Sequence, residues 1–371
     1  MAEYIFRCDM SKQYDRHKKE IDGAIGRVLK SGVYILGNEV KLFERDFAAY
    51  AGRRHGIGVA SGTDALIIAL KAAGIRKGDR VITTTYAPTP VATAIVLAGG
   101  IPVFADIEEN TCLIDPEAVR RKAKETLARF VIPVHIFGYM CDMDIMRDIS
   151  RRYKLKIIED CAQAHGSVFK GRRAGSFGAI SCFSFYPTKN LGGYGDGGMA
   201  LTDDASMAED MRLRRNYGKR SNPFDSDIVG YNSRLDDMQA AILRIKLAHL
   251  DVMNESRARL AGLYRKGLKS PPMAFFEEHG SSVSNNHIMA VMCTERRDGL
   301  IKFLEKNGIQ TNVYYPRPLH RMKAFNRYIG RSDRFPVSEL VSKKALALPL
   351  YPELKEETVM LVIDRIRKFY S

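Results

Sequence analysis

Short apolar runs alternate with helical patterns along the N-terminal half of the chain, and this alternation constrains the fold more than any other feature. Strands of a parallel sheet are buried on both faces and are joined by helical crossovers, so they are expected as apolar runs between helical segments. The runs typical of strands are residues 55–60, 80–86, 101–107, 129–138, 155–160, 180–186 and 198–202. The pattern predicts an α/β fold with a mostly parallel or mixed sheet.

A long helical pattern at about residues 235–268 separates this region from the rest of the chain. Leu243, Leu247 and Leu250 are spaced as i, i+4 and i+7, which is typical of a helix face. The 371 residues are enough for one large core and a smaller domain. We expect a large domain at residues 1–245, including the N-terminal segment, and a small C-terminal α/β domain at residues 246–371.

Residues 81–105 carry no charge, a length that would suffice to cross a bilayer. Three prolines and a Gly99–Gly100 pair interrupt the stretch, so it predicts strand, loop, helix and strand in a protein core instead of a membrane span. The N-terminal residues lack the basic and apolar regions of a secretory signal, and we expect a cytoplasmic protein. The six cysteines show no C-x-x-C spacing, so neither a disulfide framework nor a metal site is expected.

The chain has 58 Lys and Arg against 43 Asp and Glu, a net charge of +15, which makes nucleic acid the first partner to consider. The basic residues are dispersed over residues 120–124, 151–156, 170–173 and 212–220, without a recognisable DNA- or RNA-binding motif. A solvated surface, or a phosphorylated small substrate, explains them equally well. A DNA-binding regulator and a non-catalytic scaffold therefore stay as rival functions, with nucleic acid not the expected partner.

Polar residues follow the predicted strands where ligands of open α/β sheets bind. Gly62 and Thr63 open a helix after the first strand, where free backbone N–H groups and a hydroxyl suit a phosphate, although an ordinary helix cap explains them too. Asp160 ends the fifth strand, with Gln163 just beyond it. An aspartate there is costly to bury unless a cation or strong donor meets it, or unless it serves as a cap.

Ser184 and Lys189 follow the next strand, ahead of a glycine-rich loop. A lysine there can form an imine with a carbonyl cofactor, although most single lysines of such a chain lie on the surface. Residues 193–198 match G-x-G-x-x-G, but a strand-like segment follows instead of a helix, so no dinucleotide site is expected. Together, a phosphate cradle, a strand-end carboxylate, a serine and a lysine match the needs of pyridoxal phosphate.

These segments resemble the DegT/DnrJ/EryC1/StrS family of pyridoxal-phosphate-dependent nucleotide-sugar aminotransferases. The resemblance runs from about residue 30 to residue 365 and rests on residues 58–82, 101–107, 157–178, 182–199, 231–243, 314–320 and 346–352, in that order. It implies the type I aminotransferase fold, in which a large domain has a mixed, mostly parallel seven-stranded sheet flanked by helices. It also implies a homodimer with active sites at the interface.

The resemblance assigns roles to individual residues. Lys189 is similar to the lysine that holds the cofactor as an imine, and Asp160 to the partner of the ring nitrogen. The other implied cofactor contacts are Gln163 near the ring hydroxyl, Gly62, Thr63 and Ser184 at the phosphate, and Asn232 reaching the phosphate bound in the other subunit.

The stretch after the second strand departs from the family pattern, since its spacing to Gly99 is about two residues longer. Tyr86 is the only aromatic residue there, so it takes the role of stacking on the cofactor ring. Tyr315 and His320 resemble residues that line the sugar site. Arg234 is a candidate for the same region, and a structural ion pair explains it equally well.

The resemblance implies transfer of an amino group from glutamate to a keto-sugar carried on a nucleoside diphosphate. Members with histidine at the position of Lys189 act as dehydratases, so the lysine favours amino transfer. Residues 182–199 and 231–243 look more like the same segments of members that aminate C3 of a 3-keto-hexose, which can be a 6-deoxy sugar. Amination at C4 of a 4-keto-6-deoxyhexose is the alternative. The products usually enter surface polysaccharide or glycosylated antibiotics.

Overall fold

The computed structural model describes residues 4–220, 222, 224–269 and 273–371, so residues 1–3, 221, 223 and 270–272 lie outside it. The strands are β1 His55–Val59, β2 Arg80–Thr84, β3 Ile101–Ala105, β4 Phe130–Ile132, β5 Lys156–Asp160, β6 Val168–Phe169, β7 Arg172–Arg173, β8 Ile180–Ser184, β9 Gly198–Thr202, β10 Met273–Phe275, β11 Ser282–Val283, β12 Met289–Cys293 and β13 Ala345–Leu348.

The helices surround these strands. They are α1 Met10–Ser31, α2 Asn38–Tyr50, α3 Gly62–Ala72, α4 Thr89–Leu97, α5 Pro116–Thr126, α6 Met143–Tyr153, α7 Ala205–Arg215, α8 Asp237–Ala248, α9 Leu250–Gly267, α10 Arg297–Lys306, α11 Pro336–Lys344 and α12 Glu356–Tyr370. Several begin at caps that the sequence provides: Asp115 and Asp142 accept backbone N–H bonds at the starts of α5 and α6.

Seven strands form the main sheet in the order β1-β9-β8-β5-β4-β2-β3. β9 runs antiparallel to both of its neighbours, and the remaining pairings are parallel, so β9 is the one reversed strand of this sheet. The seven strands predicted from the apolar runs are these seven. The prediction of a mixed, mostly parallel sheet is therefore confirmed.

The charge-free stretch 81–105 forms β2, α4 and β3, as its prolines and glycines indicated. Within the described ranges, no helix combines the length and the hydrophobicity that crossing a membrane requires.

Two predicted elements have different bounds. The apolar run 129–138 is a strand only from Phe130 to Ile132, because Pro133 lacks a backbone N–H and the chain then turns through Phe137, whose φ is 58°. The helical pattern at 235–268 is two helices that meet at His249. The pattern predicted helix over this range but not the junction, because the apolar spacing continues across it and no glycine or proline marks it.

Among the residues that the structure describes, there are two large hydrophobic cores and a small third cluster of Ala24, Val28 and Ala241. The larger one packs the seven-stranded sheet against its flanking helices. The second surrounds the sheet β10-β12-β13 and includes residues of α9, α10 and α12, together with Ile5 near the N-terminus. Ile5 reaches this core because its backbone pairs with Gly308 and Gln310. The domain boundary between residues 245 and 246 stays a prediction.

Candidate active site

The strands β1, β8 and β9 bring the first group of candidate residues together. The register pairs Gly198 with both Val59 and Ser184, so the end of β1 and the end of β8 flank the start of β9. A Cβ atom on Gly62 would lie 2.6 Å from Cβ of Ser184, and one on Gly198 would lie 2.3 Å from the backbone of Ser61. Both positions therefore require glycine, and Gly62 and Ser184 are in direct contact.

The N-terminus of α3 lies at this contact. Ser61 is its cap and accepts a hydrogen bond from the N–H of Asp64 at 3.1 Å, so the cap interpretation is right for this serine. Gly62 and Thr63 are the first two helical residues, and N–H groups in the first turn have no partner within the helix. With the adjacent Ser184 hydroxyl they form a group of donors that suits a phosphate.

Asp160 and Lys189 influence one another at the ends of β5 and β8. Asp160 is 3% exposed, and Oδ1 accepts a hydrogen bond from the N–H of Ala162 at 3.1 Å. Burial raises the pKa of Asp160, while the charge of Lys189 opposes that shift. Burial lowers the pKa of Lys189 to about 8, and the Asp160 carboxylate opposes this shift in turn. The lysine therefore has a neutral fraction near neutral pH, as a proton-transferring amine needs.

The residue before Asp160 belongs to a buried ion pair, which no motif in the sequence marks. Glu159 is fully buried; it accepts backbone N–H bonds from Phe177 at 2.7 Å, Gly178 at 2.6 Å and Gly175 at 3.1 Å. Nε2 of His135 lies 3.2 Å from Oε2 of Glu159. Burial alone would raise the pKa of Glu159, but His135 and the backbone donors lower it overall.

Replacing Glu159 with glutamine should lower the free energy of unfolding by about 3 kcal/mol, because it leaves His135 charged and buried without its counter-ion. The pKa of Glu159 is lowered from 4.5 on folding, so its contribution is present above pH 4.5 and is lost as pH falls through the folded value. Urea denaturation across this acidic range should show a shallower pH dependence in the variant than in the wild type.

The matched control is Glu117→Gln, because the side chain of Glu117 is 71% exposed on α5. Its free energy of unfolding should change by less than about 0.5 kcal/mol. Equal stabilities for Glu159→Gln and the wild type would contradict the role of the buried pair.

Phe137, Tyr315 and Tyr86 form an aromatic wall beside the side chain of Gln163. Its Oε1 accepts a hydrogen bond from the N–H of Phe137 at 2.7 Å, and its Nε2 donates to the hydroxyl of Tyr315 at 2.7 Å. The Tyr315 ring is stacked near Phe137, with centroids 5.7 Å apart, and meets Tyr86 edge-on at 5.3 Å. The structure thus brings together three predicted residues, Gln163, Tyr315 and Tyr86. It adds Phe137, which bonds Gln163 through its backbone N–H, and a backbone contact leaves no signal in the sequence.

Asn232 and Arg234 lie together in another segment. Asn232 is exposed and forms an isolated bridge with Asn216. Nη1 of Arg234 donates to Oδ1 of Asn216 at 3.2 Å, and its guanidinium lies 5.7 Å from the ring centroid of Tyr217. The partner of Arg234 here is the amide of Asn216. The structural ion pair considered for Arg234 would instead need a carboxylate as its partner.

His320 is held in place by Glu339 and Phe335. Its Nε2 lies 3.0 Å from Oε1 of Glu339, and its ring centroid lies 4.5 Å from that of Phe335. It lines an open cavity of about 680 Å³. The neighbouring Leu319 donates its N–H to the carbonyl of Thr85 at 2.8 Å, which anchors this segment beyond the end of β2.

The residues at the strand ends fit pyridoxal phosphate. A buried carboxylate interacts electrostatically with a lysine whose pKa burial lowers to about 8, and a helix N-terminus in contact with Ser184 lies at the same edge of the sheet. A carboxylate can keep the ring nitrogen protonated, a lysine can bond the carbonyl carbon, and the helix N-terminus can hold the phosphate.

The chain is similar to known proteins over nearly its whole length. Residues 15–367 match the model of the DegT/DnrJ/EryC1/StrS aminotransferase family. A "Pleiotropic regulatory protein" of Geobacillus stearothermophilus is 42% identical over 98% of this chain and 97% of its own. The dTDP-3-amino-3,4,6-trideoxy-alpha-D-glucose transaminase of Streptomyces venezuelae is 40% identical over 97% of this chain and 95% of its own.

A solved structure has the same fold over its whole length. The crystal structure of S. venezuelae DesV in complex with a ketimine intermediate superposes with a TM-score of 0.96 at 39% identity, covering 99% of both chains. The type I aminotransferase fold, the enzyme class and the pyridoxal phosphate cofactor predicted from the resemblance are confirmed. The chain belongs to the DegT/DnrJ/EryC1/StrS aminotransferase family and is a pyridoxal-phosphate-dependent transaminase.

Proposed function

We propose that this transaminase moves an amino group from glutamate to C3 of a nucleotide-linked 3-keto-hexose. The observation that carries the proposal is the pair Lys189 and Asp160, which share one strand-end site with the N-terminus of α3. The position on the sugar is favoured by the S. venezuelae relative, whose name specifies a 3-amino sugar linked to dTDP. The alternative is C4 of a nucleotide-linked 4-keto-6-deoxyhexose.

In this proposal the cofactor is held from several sides. Asp160 pairs with the ring nitrogen, Gln163 lies near the ring hydroxyl, and Gly62, Thr63 and Ser184 bind the phosphate. When bound, pyridoxal phosphate supplies an electron sink for the carbon that loses a proton. The carboxylate of Asp160 maintains that property because a nearby negative charge favours the protonated ring nitrogen.

Lys189 moves the proton. Burial lowers the pKa of its amine to about 8, so the neutral form could take a proton from Cα of the amino donor and the protonated form could deliver it to C4′ of the bound cofactor. In the second half of the reaction, the same amine acts in the reverse direction on the carbon that was the sugar ketone. A lysine with an ordinary pKa would be almost fully protonated at pH 7 and would be a poorer base.

The aromatic wall orients these groups and excludes water. Tyr86 is 1% exposed and Tyr315 8% exposed, and the hydroxyl of Tyr315 fixes the amide of Gln163. We assign ring stacking to Tyr86 and a sugar contact to Tyr315. His320, which lines the 680 Å³ cavity, and Arg234 are the further candidates for contacts with the nucleotide sugar.

Absorbance spectra and product analysis test the proposal. Purified protein with pyridoxal phosphate should show a visible band, which glutamate should convert to the shorter-wavelength band of pyridoxamine phosphate. Nucleotide-linked 3-keto and 4-keto sugars should then be added, and NMR should locate the new amine. Amination of the 3-keto sugar supports the proposal; exclusive amination at C4 supports the alternative, and the absence of a band would overturn both.

The exposed position of Asn232 favours a site shared between the subunits of a homodimer, in which Asn232 reaches the phosphate held by the other subunit. We expect Asn232→Ala to lower cofactor affinity about tenfold, the effect of one lost bond to a charged group. At a cofactor concentration that loads the wild type but leaves Asn232→Ala homodimers mostly empty, an equal mixture of Asn232→Ala and Lys189→Ala subunits, dissociated and reassembled, should have about a quarter of the wild-type activity, since half the dimers then hold one intact site.

The control mixture combines Lys189→Ala with Asp160→Asn. Both residues act within one subunit, so every mixed dimer has two damaged sites and activity should not return. Recovery in this mixture, or no recovery in the first one, would contradict the shared site.

A further inference from the structure

Two histidines and a glutamate converge where α1 meets the junction of α8 and α9. His17 and Glu20 are three residues apart on α1, so they lie on the same side of the helix. Nε2 of His249 lies 3.3 Å from Oε1 of Glu20, and Nδ1 of His17 lies 3.7 Å from the same oxygen. One ligand atom from each residue lies within 4.8 Å of the other two.

These separations are close to those of a metal site. Zinc bonds nitrogen and carboxylate oxygen at about 2.0–2.2 Å, so ligand atoms around a tetrahedral ion are about 3.3 Å apart. Two of the three separations in the cluster are 3.3 and 3.7 Å. Small side-chain rotations would therefore suffice to place all three groups around one ion.

The environment favours such an ion over a simple ion pair. His17 is 5% exposed, and its Nε2 is buried without a hydrogen-bond partner among the residues that the structure describes, so Glu20 satisfies only one of its two ring nitrogens. The two imidazole centroids are 4.4 Å apart at an interplanar angle of 30°. If both rings were protonated, two cations would face each other, whereas two neutral rings offer lone pairs that a divalent cation can share.

The cluster is also open on one side. Glu20 is 51% exposed and His249 is 37% exposed, so an ion can enter from solvent and water can complete its coordination. We propose that His17, Glu20 and His249 bind one divalent transition-metal ion of the zinc type. Two nitrogens and one carboxylate oxygen are a ligand set that zinc uses in proteins, with water in the fourth position.

Such an ion would link α1 to the single residue that separates α8 from α9. Lys246 lies in the last turn of α8, and its Nζ donates to the carbonyl of Gly192 in the loop that follows Lys189. The metal site and this loop are therefore attached to the same helix. The metal site does not depend on the proposed sugar substrate, so an experiment can contradict either proposal without affecting the other.

Metal titration of the holoenzyme, dialysed free of metal and unbound cofactor, tests the proposal. Zn²⁺ should bind with one equivalent per chain in calorimetry and should raise the midpoint of thermal unfolding, since it binds the folded state. Co²⁺ at the same site should give visible absorption bands that Zn²⁺ abolishes. His249→Ala and Glu20→Gln should each weaken Zn²⁺ binding at least about tenfold, because loss of a direct ligand costs no less than loss of a supporting residue.

The matched control is His279→Ala, which breaks a histidine–glutamate pair elsewhere, with His279 Nε2 2.9 Å from Oε2 of Glu108. It should leave Zn²⁺ affinity unchanged. The exposed positions of Glu20 and His249 make folding of their variants the expected outcome, which circular dichroism checks. Absence of stoichiometric binding in the wild type, or equal affinity in the wild type and His249→Ala, would overturn the proposal.

Discussion

Replacing Lys189 with alanine should reduce transaminase turnover by at least about 10³-fold, because it removes both the amine that bonds the cofactor and the group that moves the proton. The lowered pKa of about 8 is what makes this lysine suited to the second role. Single-turnover kinetics with glutamate measure the effect on the first half-reaction. The visible absorbance band of the lysine-bound cofactor should be lost in the same variant.

The control for this substitution is Lys170→Ala. Lys170 is 58% exposed and pairs with Asp144 on the surface, so its removal should change turnover by less than about twofold. Lys189→Arg adds a second comparison, since arginine keeps the positive charge but cannot act as a base near neutral pH. Activity of either Lys189 variant within about tenfold of the wild type would contradict the assignment.

Replacing Asp160 with asparagine should reduce turnover by about 10³-fold, since a neutral amide does not hold the ring nitrogen in its charged form. The substitution has a second consequence. The Asp160 carboxylate now opposes the effect of burial on Lys189, so without it the pKa of Lys189 should fall below about 8. Trinitrobenzenesulfonate labelling of cofactor-free protein across pH, with Lys189 identified by mass spectrometry, reports that shift separately from activity.

Asp142→Asn is the matched control for Asp160→Asn. Asp142 caps α6 by accepting N–H bonds from Asp144 and Ile145, and asparagine caps helices equally well. Its turnover and the labelling midpoint of Lys189 should match those of the wild type. An Asp160→Asn variant with wild-type turnover and an unchanged midpoint would mean that Asp160 does not act on the cofactor or on Lys189.

Most of the large sheet could be predicted from the chain alone. Apolar runs between helical segments indicated all seven strands of the main sheet, and the positions at or just beyond the ends of those runs marked Gly62, Asp160, Ser184 and Lys189 as candidates. These are local properties. A strand buried on both faces needs a run of apolar residues, and polar residues can appear again where the strand ends. The resemblance then added the family and its cofactor, which the comparisons confirmed.

The supporting contacts could not be predicted in this way. Glu159 looked like the last part of an apolar strand, yet it accepts bonds from residues 175–178 and faces His135. Phe137 fell inside a predicted strand but turns through a positive φ to hold Gln163. The ligands of the proposed metal site are residues 17, 20 and 249. The third is far from the first two in the sequence, so a search for locally spaced ligands does not find the set.

The chain by itself determined which segments become strands and which polar residues follow them, because burial and periodicity act over a few neighbouring residues. Only the tertiary structure decided which strand ends become neighbours. The order β1-β9-β8-β5 does not follow the chain, and it is this pairing that sets Gly62 against Ser184 and Asp160 near Lys189. Such contacts depend on hydrogen bonds and packing between segments that are distant in the sequence. A pattern of neighbouring residues carries no information about the energies of those interactions.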